Sequence, residues 1–199
     1  MSKIKSALEL ALERTADVEV DKDAIRRDES AKKGKTLAGR YISDPKSVSL
    51  KSELQALSGE ELGWAREGVL ETLLANLTLP RYEIDISRLP MIADGLKAIG
   101  PEKGQDAKTL DYLMGQYSDL FKQYLENLRQ LEEHLRTQWE PRLRQKEQQL
   151  RQQTGQAVRL TPEQDPEFAK VLSEELSRMD EQYAEVLAQG KAEIRKLIG

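Results

Sequence analysis

The sequence predicts an all-α protein in which a small helical body carries a long antiparallel coiled-coil hairpin. The first observation is a run of large apolar side chains at alternating intervals of four and three residues, which is the a/d seam of a heptad pattern. Its members are Leu110, Met114, Tyr117, Phe121, Tyr124, Leu128, Leu131 and Leu135. The second is a charged fraction of 33%, against about 25% in an average globular domain. The third is a low aromatic fraction of 5%. This balance favours exposed helices with a narrow apolar stripe over stacked sheets.

Size, charge and cysteine usage narrow the class of protein further. A chain of 199 residues and 22.6 kDa predicts one or two small domains. The net charge of −4 gives no overall attraction to nucleic acid, and the absence of cysteine removes thiolate catalysis and cysteine-ligated metals. The chain shows no secretory signal and no apolar run of membrane-spanning length, so we expect a cytoplasmic protein without a membrane span.

The N-terminal part predicts a short helix followed by a charged segment. Residues 3–16 place Ile4, Leu8 and Leu12 on one stripe. Within them, Lys5-Ser6-Ala7-Leu8-Glu9-Leu10-Ala11-Leu12-Glu13 resembles the start of small bacterial proteins of uncharacterised function, a resemblance that implies no activity and no site. Residues 17–35 are dense in both charges and predict either a solvated helix or a mobile linker.

Turn-forming residues then set the predicted boundaries. Gly34, Gly39 and Asp44-Pro45 predict an irregular crossing segment. The predicted division is therefore an N-terminal helix and charged, partly flexible segment (1–49), a small helical body (50–104) and an antiparallel hairpin (105–199).

The body is predicted to hold three helices and one extended connector. Leu50, Leu54 and Leu57 mark a short helix, and Ser58-Gly59-Glu60-Glu61 has the pattern of a capping box that starts a second helix ending before Pro80. Tyr82, Ile84 and Ile86 alternate with acidic residues, which predicts an extended connector at 81–87. A further helix is expected over residues 88–99.

The hairpin is predicted from a helix near Asp106 to Gln153 and a last helix that starts at Asp165-Pro166. Residues 136–151 carry a net charge of +3 and residues 163–185 a net charge of −6, which favours packing of one segment against the other. A tight turn centred near residues 159–160 predicts that facing residue numbers add up to about 319, with residues 106–118 extending beyond the last helix. The predicted pairs are Leu143 with Leu176, Trp139 with Met179, Leu135 with Tyr183, Leu131 with Leu187, and Phe121 with Leu197.

No segment predicts a catalytic, cofactor-binding or metal-binding residue. Lys33-Gly34-Lys35-Thr36 ends like a phosphate-binding loop, but Glu29 stands where the motif needs glycine. His134 is the single histidine and lacks the Glu-x-x-His spacing of a di-iron bundle. Asp85 and Asp94 could act as an acid–base pair only if the fold brings them together.

The basic run from Arg142 to Gln153 lacks the interleaved aromatics of an RNA-stacking surface. We therefore expect no nucleic-acid partner, and a protein partner or self-association instead.

These observations favour a non-enzymatic helical interaction or scaffold protein that acts through its coiled-coil hairpin, forms homo-oligomers and needs no cofactor. One alternative is a chaperone or assembly factor whose hairpin clasps a client protein. An alternative of another class is a carboxylate-based enzyme or ligand-binding helical bundle, which would require a concave pocket with converging polar groups.

Overall fold

The computed structural model describes residues 22–101 and 104–199 and contains helices but no strand within those ranges. Seven α-helices follow one another there: α1 (Lys22–Ser43), α2 (Leu50–Gln55), α3 (Gly59–Ala75), α4 (Glu83–Ile86), α5 (Leu89–Ile99), α6 (Gln105–Thr154) and α7 (Pro166–Ile198). A 3₁₀ turn, Pro162–Gln164, precedes α7. The all-α fold with a helical hairpin is confirmed. The predicted helix at residues 3–16 lies outside the described residues.

The main core joins the first five helices to the inner ends of α6 and α7. On α6 it includes Leu110, Met114, Tyr117 and Phe121, and on α7 it includes Leu187, Ile194 and Ile198. Leu73 and Leu96, both fully buried, lie among them. This core also takes in Ala38 and Tyr41 of α1, so its members come from all three predicted parts of the chain. The three-part division itself stays a prediction.

Helices α1 and α3 pack with their backbones in unusually close approach. A Cβ atom placed on Gly34 would overlap the carbonyl oxygen of Ala65, and one placed on Gly68 would overlap the carbonyl oxygen of Ala31. Ion pairs from Arg26 to Glu61 and from Lys35 to Glu71 flank this contact, and their numbering shows that the two helices run in the same direction. Glycine is required at both crossing points because any side chain would have to push one helix backbone away from the other.

This contact corrects the predicted irregular segment around Gly34 and Gly39. Both glycines lie inside α1, which is continuous from Lys22 to Ser43. Gly34 serves the helix–helix contact, and its flexibility is not used for a turn. Of the two predictions for the charged segment, residues 22–35 follow the helical one.

Arg66 of α3 fastens the ends of two other helices to the body. Its Nε donates to the carbonyl oxygen of Ile99 at 2.6 Å, and its terminal nitrogen donates to the carbonyl oxygen of Ile198 at 2.9 Å. The last carbonyls of a helix have no partner within it and carry the negative end of the helix dipole, so a guanidinium satisfies both requirements. Arg66 thereby fixes the C-terminal ends of α5 and α7 against α3.

Two local predictions for the body are wrong. Ser58 is the N-cap residue of α3, but its side chain makes no capping hydrogen bond, so the predicted capping box does not form. Residues 83–86 form the single helical turn α4 instead of an extended connector. The cause is Asp85, whose carboxylate accepts the backbone N–H groups of Arg81 and Tyr82 at 2.9 and 3.0 Å. These two hydrogen bonds lower the pKa of Asp85.

The close contact predicts opposite effects for glycine-to-alanine substitutions within one helix. Gly39 has no neighbour that a Cβ would meet, so Gly39→Ala should raise the free energy of unfolding by up to about 1 kcal/mol through helix propensity. At Gly34 the same gain is outweighed by overpacking, which costs about 1–3 kcal/mol and more where a backbone must move. We expect Gly34→Ala and Gly68→Ala to lower the free energy of unfolding, as measured by urea denaturation. Stabilisation by Gly34→Ala would contradict the close packing.

Candidate interaction site on the projecting arm

Helices α6 and α7 extend past the main core as an antiparallel two-helix arm, here defined as residues 122–186. At about 1.5 Å per residue, α6 is about 75 Å long and α7 about 50 Å. The arm has an apolar core of its own, the tip core, formed by Leu135, Trp139, Leu143 and Phe168. Four partly buried apolar residues pack against it: Leu131, Leu160, Val171 and Leu172. The side chains that form the tip core are therefore different from those that form the main core.

The antiparallel packing is as predicted, but the predicted register is wrong. Trp139 contacts Phe168 instead of Met179, with ring centroids 5.5 Å apart. Tyr183 faces Tyr124 at 5.1 Å, and not Leu135. Leu187 accepts the hydroxyl of Tyr117 at 3.1 Å. Facing residue numbers add up to roughly 307, so α7 is displaced by about three helical turns from the expected position.

The connection between the helices explains this displacement. Residues 155–165 run back along the end of α6, where the Leu160 N–H donates to Glu147 at 2.7 Å. Lys146 also pairs with Asp165 at 2.7 Å. Helix α7 consequently begins beside residues 139–142. The predicted extension of residues 106–118 beyond α7 is also wrong, because Tyr117 already faces Leu187 and Gly190.

Asp165 holds the tip together through three hydrogen bonds to its buried carboxylate. It accepts from Trp139 Nε1 at 3.1 Å, from Lys146 Nζ at 2.7 Å and from the Glu167 N–H at 3.1 Å. The last of these is the expected N-cap of α7. The hydrogen bond from Lys146, followed by that from Trp139, lowers the pKa of Asp165.

The predicted charge pairing along the tip is present in the structure. Arg136 pairs with Glu163, and Arg142 pairs with Glu167 at 3.8 Å. The Arg142 guanidinium also lies 4.4 Å from the centre of the Trp139 ring. Basic residues between 142 and 153 therefore form ion pairs with acidic residues of the connection and of α7.

A polar layer separates the tip core from the main core. Tyr124, fully buried, donates to the carboxylate of Asp180, and Asn127 Nδ2 donates to the Tyr183 hydroxyl at 2.7 Å. Desolvation and the hydrogen bond to Asp180 raise the pKa of Tyr124 to about 12. Arg81, in the loop before α4, reaches Asp180 at 3.5 Å and so connects this layer to the body.

The arm leaves a strip of apolar side chains only partly covered. These residues are Leu125, Leu128 and Leu131 on α6, with Leu172, Leu176 and Met179 on α7, all of them half-buried. A two-helix hairpin can bury only one stripe per helix, so such a strip is available to a third helix from elsewhere. We call these six residues the arm strip. Apart from Leu125, which lies one residue beyond the seam position Tyr124, they follow the same heptad spacing as the fully buried seam, so the sequence pattern did not distinguish them from it.

The residues considered for chemistry lie apart from one another. Lys35 and Thr36 are on the surface of α1, where Lys35 pairs with Glu71 at 2.9 Å. His134 is exposed on α6, with its Nε2 2.8 Å from Gln138 Nε2. Asp85 serves as a helix cap, and Asp94 is exposed on α5. Within residues 22–101 and 104–199, no group of three or more His, Asp or Glu side chains is placed to hold a metal ion.

The structure defines an all-helical protein whose body carries a hairpin arm with a separate core. Residues 51–196 match a family of unknown function, DUF6657, and because the match spans most of the chain, the chain belongs to that family. No curated protein and no solved structure matches it. Membership of an uncharacterised family is thus confirmed; the matched range does not include residues 5–13, and bacterial origin stays a prediction. None of the helices described here combines the length and apolar character needed to cross a membrane.

The separate tip core predicts a local loss of stability for Leu135→Ala. Leu135 is buried among Trp139, Leu143 and Phe168, and truncation of a buried leucine costs about 2–5 kcal/mol. Amide hydrogen exchange should accelerate at Trp139 and Leu143 and stay unchanged at Leu73 in the main core. Equal acceleration at all three amides would show that the two cores unfold as one unit.

The Asp165 carboxylate predicts a tip that weakens in acid. Because its pKa is lower in the folded chain, its contribution is fully present above the ordinary aspartate pKa of about 4 and is lost as the pH falls through the lower folded value. Amide exchange at the tip, measured at a series of pH values and corrected for intrinsic rates, should show this loss. Asp165→Asn should reduce tip stability near neutral pH and flatten the acid dependence; an unchanged dependence would exclude Asp165 as its source.

Proposed function

We propose that this protein is a non-enzymatic interaction protein that binds a protein partner along the arm strip. The observation that carries the proposal is the arm itself, which projects on its own tip core while leaving six large apolar side chains half-buried. A two-helix arm offers this strip to an amphipathic helix, which would bury its apolar face in the same way as a third helix of a bundle.

The charges of α7 favour a particular kind of partner. The exposed Glu174, Glu181 and Glu185 lie on the face of α7 opposite Leu176, because their spacing from it places them about half a turn around the helix. Lys170 lies 3.9 Å from Glu174, and Arg178 lies 3.0 Å from Glu175. Arg81 reaches Asp180 on the same stretch.

Glu163, Asp165 and Glu167 already pair with α6, but residues 168–185 still have a net charge of −3. A partner with a net positive charge therefore complements this side of the arm best. A chaperone or assembly factor that clasps a client would use the same strip, and the identity of the bound protein distinguishes these two forms of the proposal.

The enzyme alternative has weaker support from the geometry. The carboxylates that border a groove between α4 and α6, those of Glu83 and Glu126, are exposed and pair with Arg129 at 3.5 and 3.2 Å. A catalytic general acid depends on desolvation to keep its proton near neutral pH. Solvated, ion-paired carboxylates lack that environment, which favours a binding role over catalysis.

Photo-cross-linking along the arm tests the proposal directly. Because the chain has no cysteine, a single cysteine at the exposed Ser177 can carry a benzophenone label beside Leu176. In lysate of the native cells we expect one dominant adduct to a protein. The double substitution Leu176→Gln with Met179→Gln should abolish that adduct while far-UV circular dichroism stays helical, because both side chains are only half-buried.

The matched control carries the same label at the exposed Ser43, at the end of α1. It should not form the adduct. An adduct that forms equally from both positions, or that persists in the double variant, would contradict binding along the arm strip.

A further inference from the structure

The short turn α4 lies against both helices of the arm. Arg81, two residues before the turn, is 3.5 Å from Asp180 of α7, and Glu83, the first residue of the turn, is 3.5 Å from Arg129 of α6. One end of this three-residue stretch therefore reaches α7 and the other end reaches α6. Tyr82, between them, consequently lies near the line along which the two arm helices meet.

The turn displays two apolar side chains on a backbone that is held in place. Tyr82 is 72% exposed and Ile84 is 70% exposed, more than any other large apolar side chain in the described part of the chain. The hydrogen bonds to Asp85 fix the backbone of the turn, and Ile86 packs against the main core. A protruding apolar pair on a fixed backbone is typical of a binding surface, because little conformational freedom remains to be lost on binding.

Two residues of the arm strip lie on the same side of the arm as this turn. Leu125 precedes Arg129 by four residues, and Leu176 precedes Asp180 by four residues, so each leucine shares a helix face with a residue that is paired to the turn. Leu176 is about 6 Å nearer to the tip than Asp180. A bound helix is about 10 Å across, so a helix that covers Leu176 also reaches the turn.

We infer that the partner helix that binds the arm strip also packs against Tyr82 and Ile84. The inference rests on the function proposed above and adds to it the end of the binding surface that lies nearest to the body. The arm strip offers half-buried apolar side chains, whereas the turn adds an exposed aromatic ring, a type of side chain that dominates the binding energy of many interfaces. Because Arg81 and Glu83 are already paired within the chain, the apolar pair makes this contact.

The first test is a competition for the adduct formed by the full chain labelled with benzophenone at Ser177, in lysate of the native cells. Unlabelled wild-type chain should suppress the adduct. The unlabelled double variant Tyr82→Ala with Ile84→Ser should need a concentration at least about tenfold higher, as expected for loss of an aromatic anchor. Its far-UV circular dichroism should stay that of the wild type, because both side chains are exposed.

The matched control competitor is Tyr112→Ala, which removes another exposed tyrosine ring. Tyr112 is 65% exposed on α6 and lies about 25 Å from Arg129 along the helix axis. It should compete as well as the wild type.

The second test locates the contact without relying on a loss of binding. A benzophenone label on Tyr82→Cys should form an adduct with the same protein as the label at Ser177, since the chain has no other cysteine to carry it. The same label on Tyr112→Cys should not capture that protein.

Two results would overturn the inference while the arm proposal stands. One is a Tyr82→Ala, Ile84→Ser competitor that is as effective as the wild type. The other is a label at Tyr82 that fails to capture the protein captured from Ser177, or that captures it no better than the label at Tyr112. If the label at Ser177 itself yields no adduct that depends on Leu176, the arm proposal fails and this inference fails with it.

Discussion

The register between α6 and α7 is the constraint on which the rest of the molecule depends. It sets Tyr117 against Leu187 in the main core, Tyr124 against Asp180 in the polar layer and Trp139 against Phe168 in the tip core. A displacement of one turn would separate all three pairs at once and leave buried hydroxyl and indole groups without acceptors, at a cost of about 1–3 kcal/mol for each unsatisfied group. Polar seam residues add little net stability, but they make alternative registers costly.

The heptad spacing predicted the two long helices and their antiparallel packing, because apolar periodicity is a local property of the chain. It could not supply the register. Every displacement of seven residues restores the same a/d pairing, and the opposite charges of residues 136–151 and 163–185 form exposed pairs in several registers, worth at most about 1 kcal/mol each. The register is decided instead by the connection, where the Leu160 N–H and Asp165 bind back to Glu147 and Lys146. Such contacts have no periodic signature.

In the body, too, apolar spacing predicted the helices, whereas features that depend on contacts between distant residues were not predicted. The short helix at Leu50, the long apolar helix of residues 59–75 and the helix before Gly100 followed from apolar spacing. Gly34 was misread as a turn residue, because a glycine that serves helix packing and a glycine that serves a turn look alike in isolation. The available signal was the spacing of Ser30, Gly34 and Ala38, all buried and four residues apart, which places small residues on one face of α1. Likewise, the alternation of Tyr82, Ile84 and Ile86 was outweighed by the two backbone hydrogen bonds of Asp85.

The proposed contact surface on the arm follows from how little of the apolar surface of the arm is buried by its own folding. Ordering the backbone costs about 1–2 kcal/mol per residue, and a hairpin offsets this with only one stripe of burial on each helix. The tip core contributes four buried side chains, reinforced by Asp165, which is enough to hold the end of the arm closed. Between the tip and the body, however, the seam is polar at Tyr124 and Asn127, and its apolar residues are half-buried. A shorter hairpin packed against the body would leave fewer apolar side chains exposed to water than this arm does. The length of the arm therefore does not add to the stability of the folded chain. The exposed middle is the surface that the proposed helix-binding role would use.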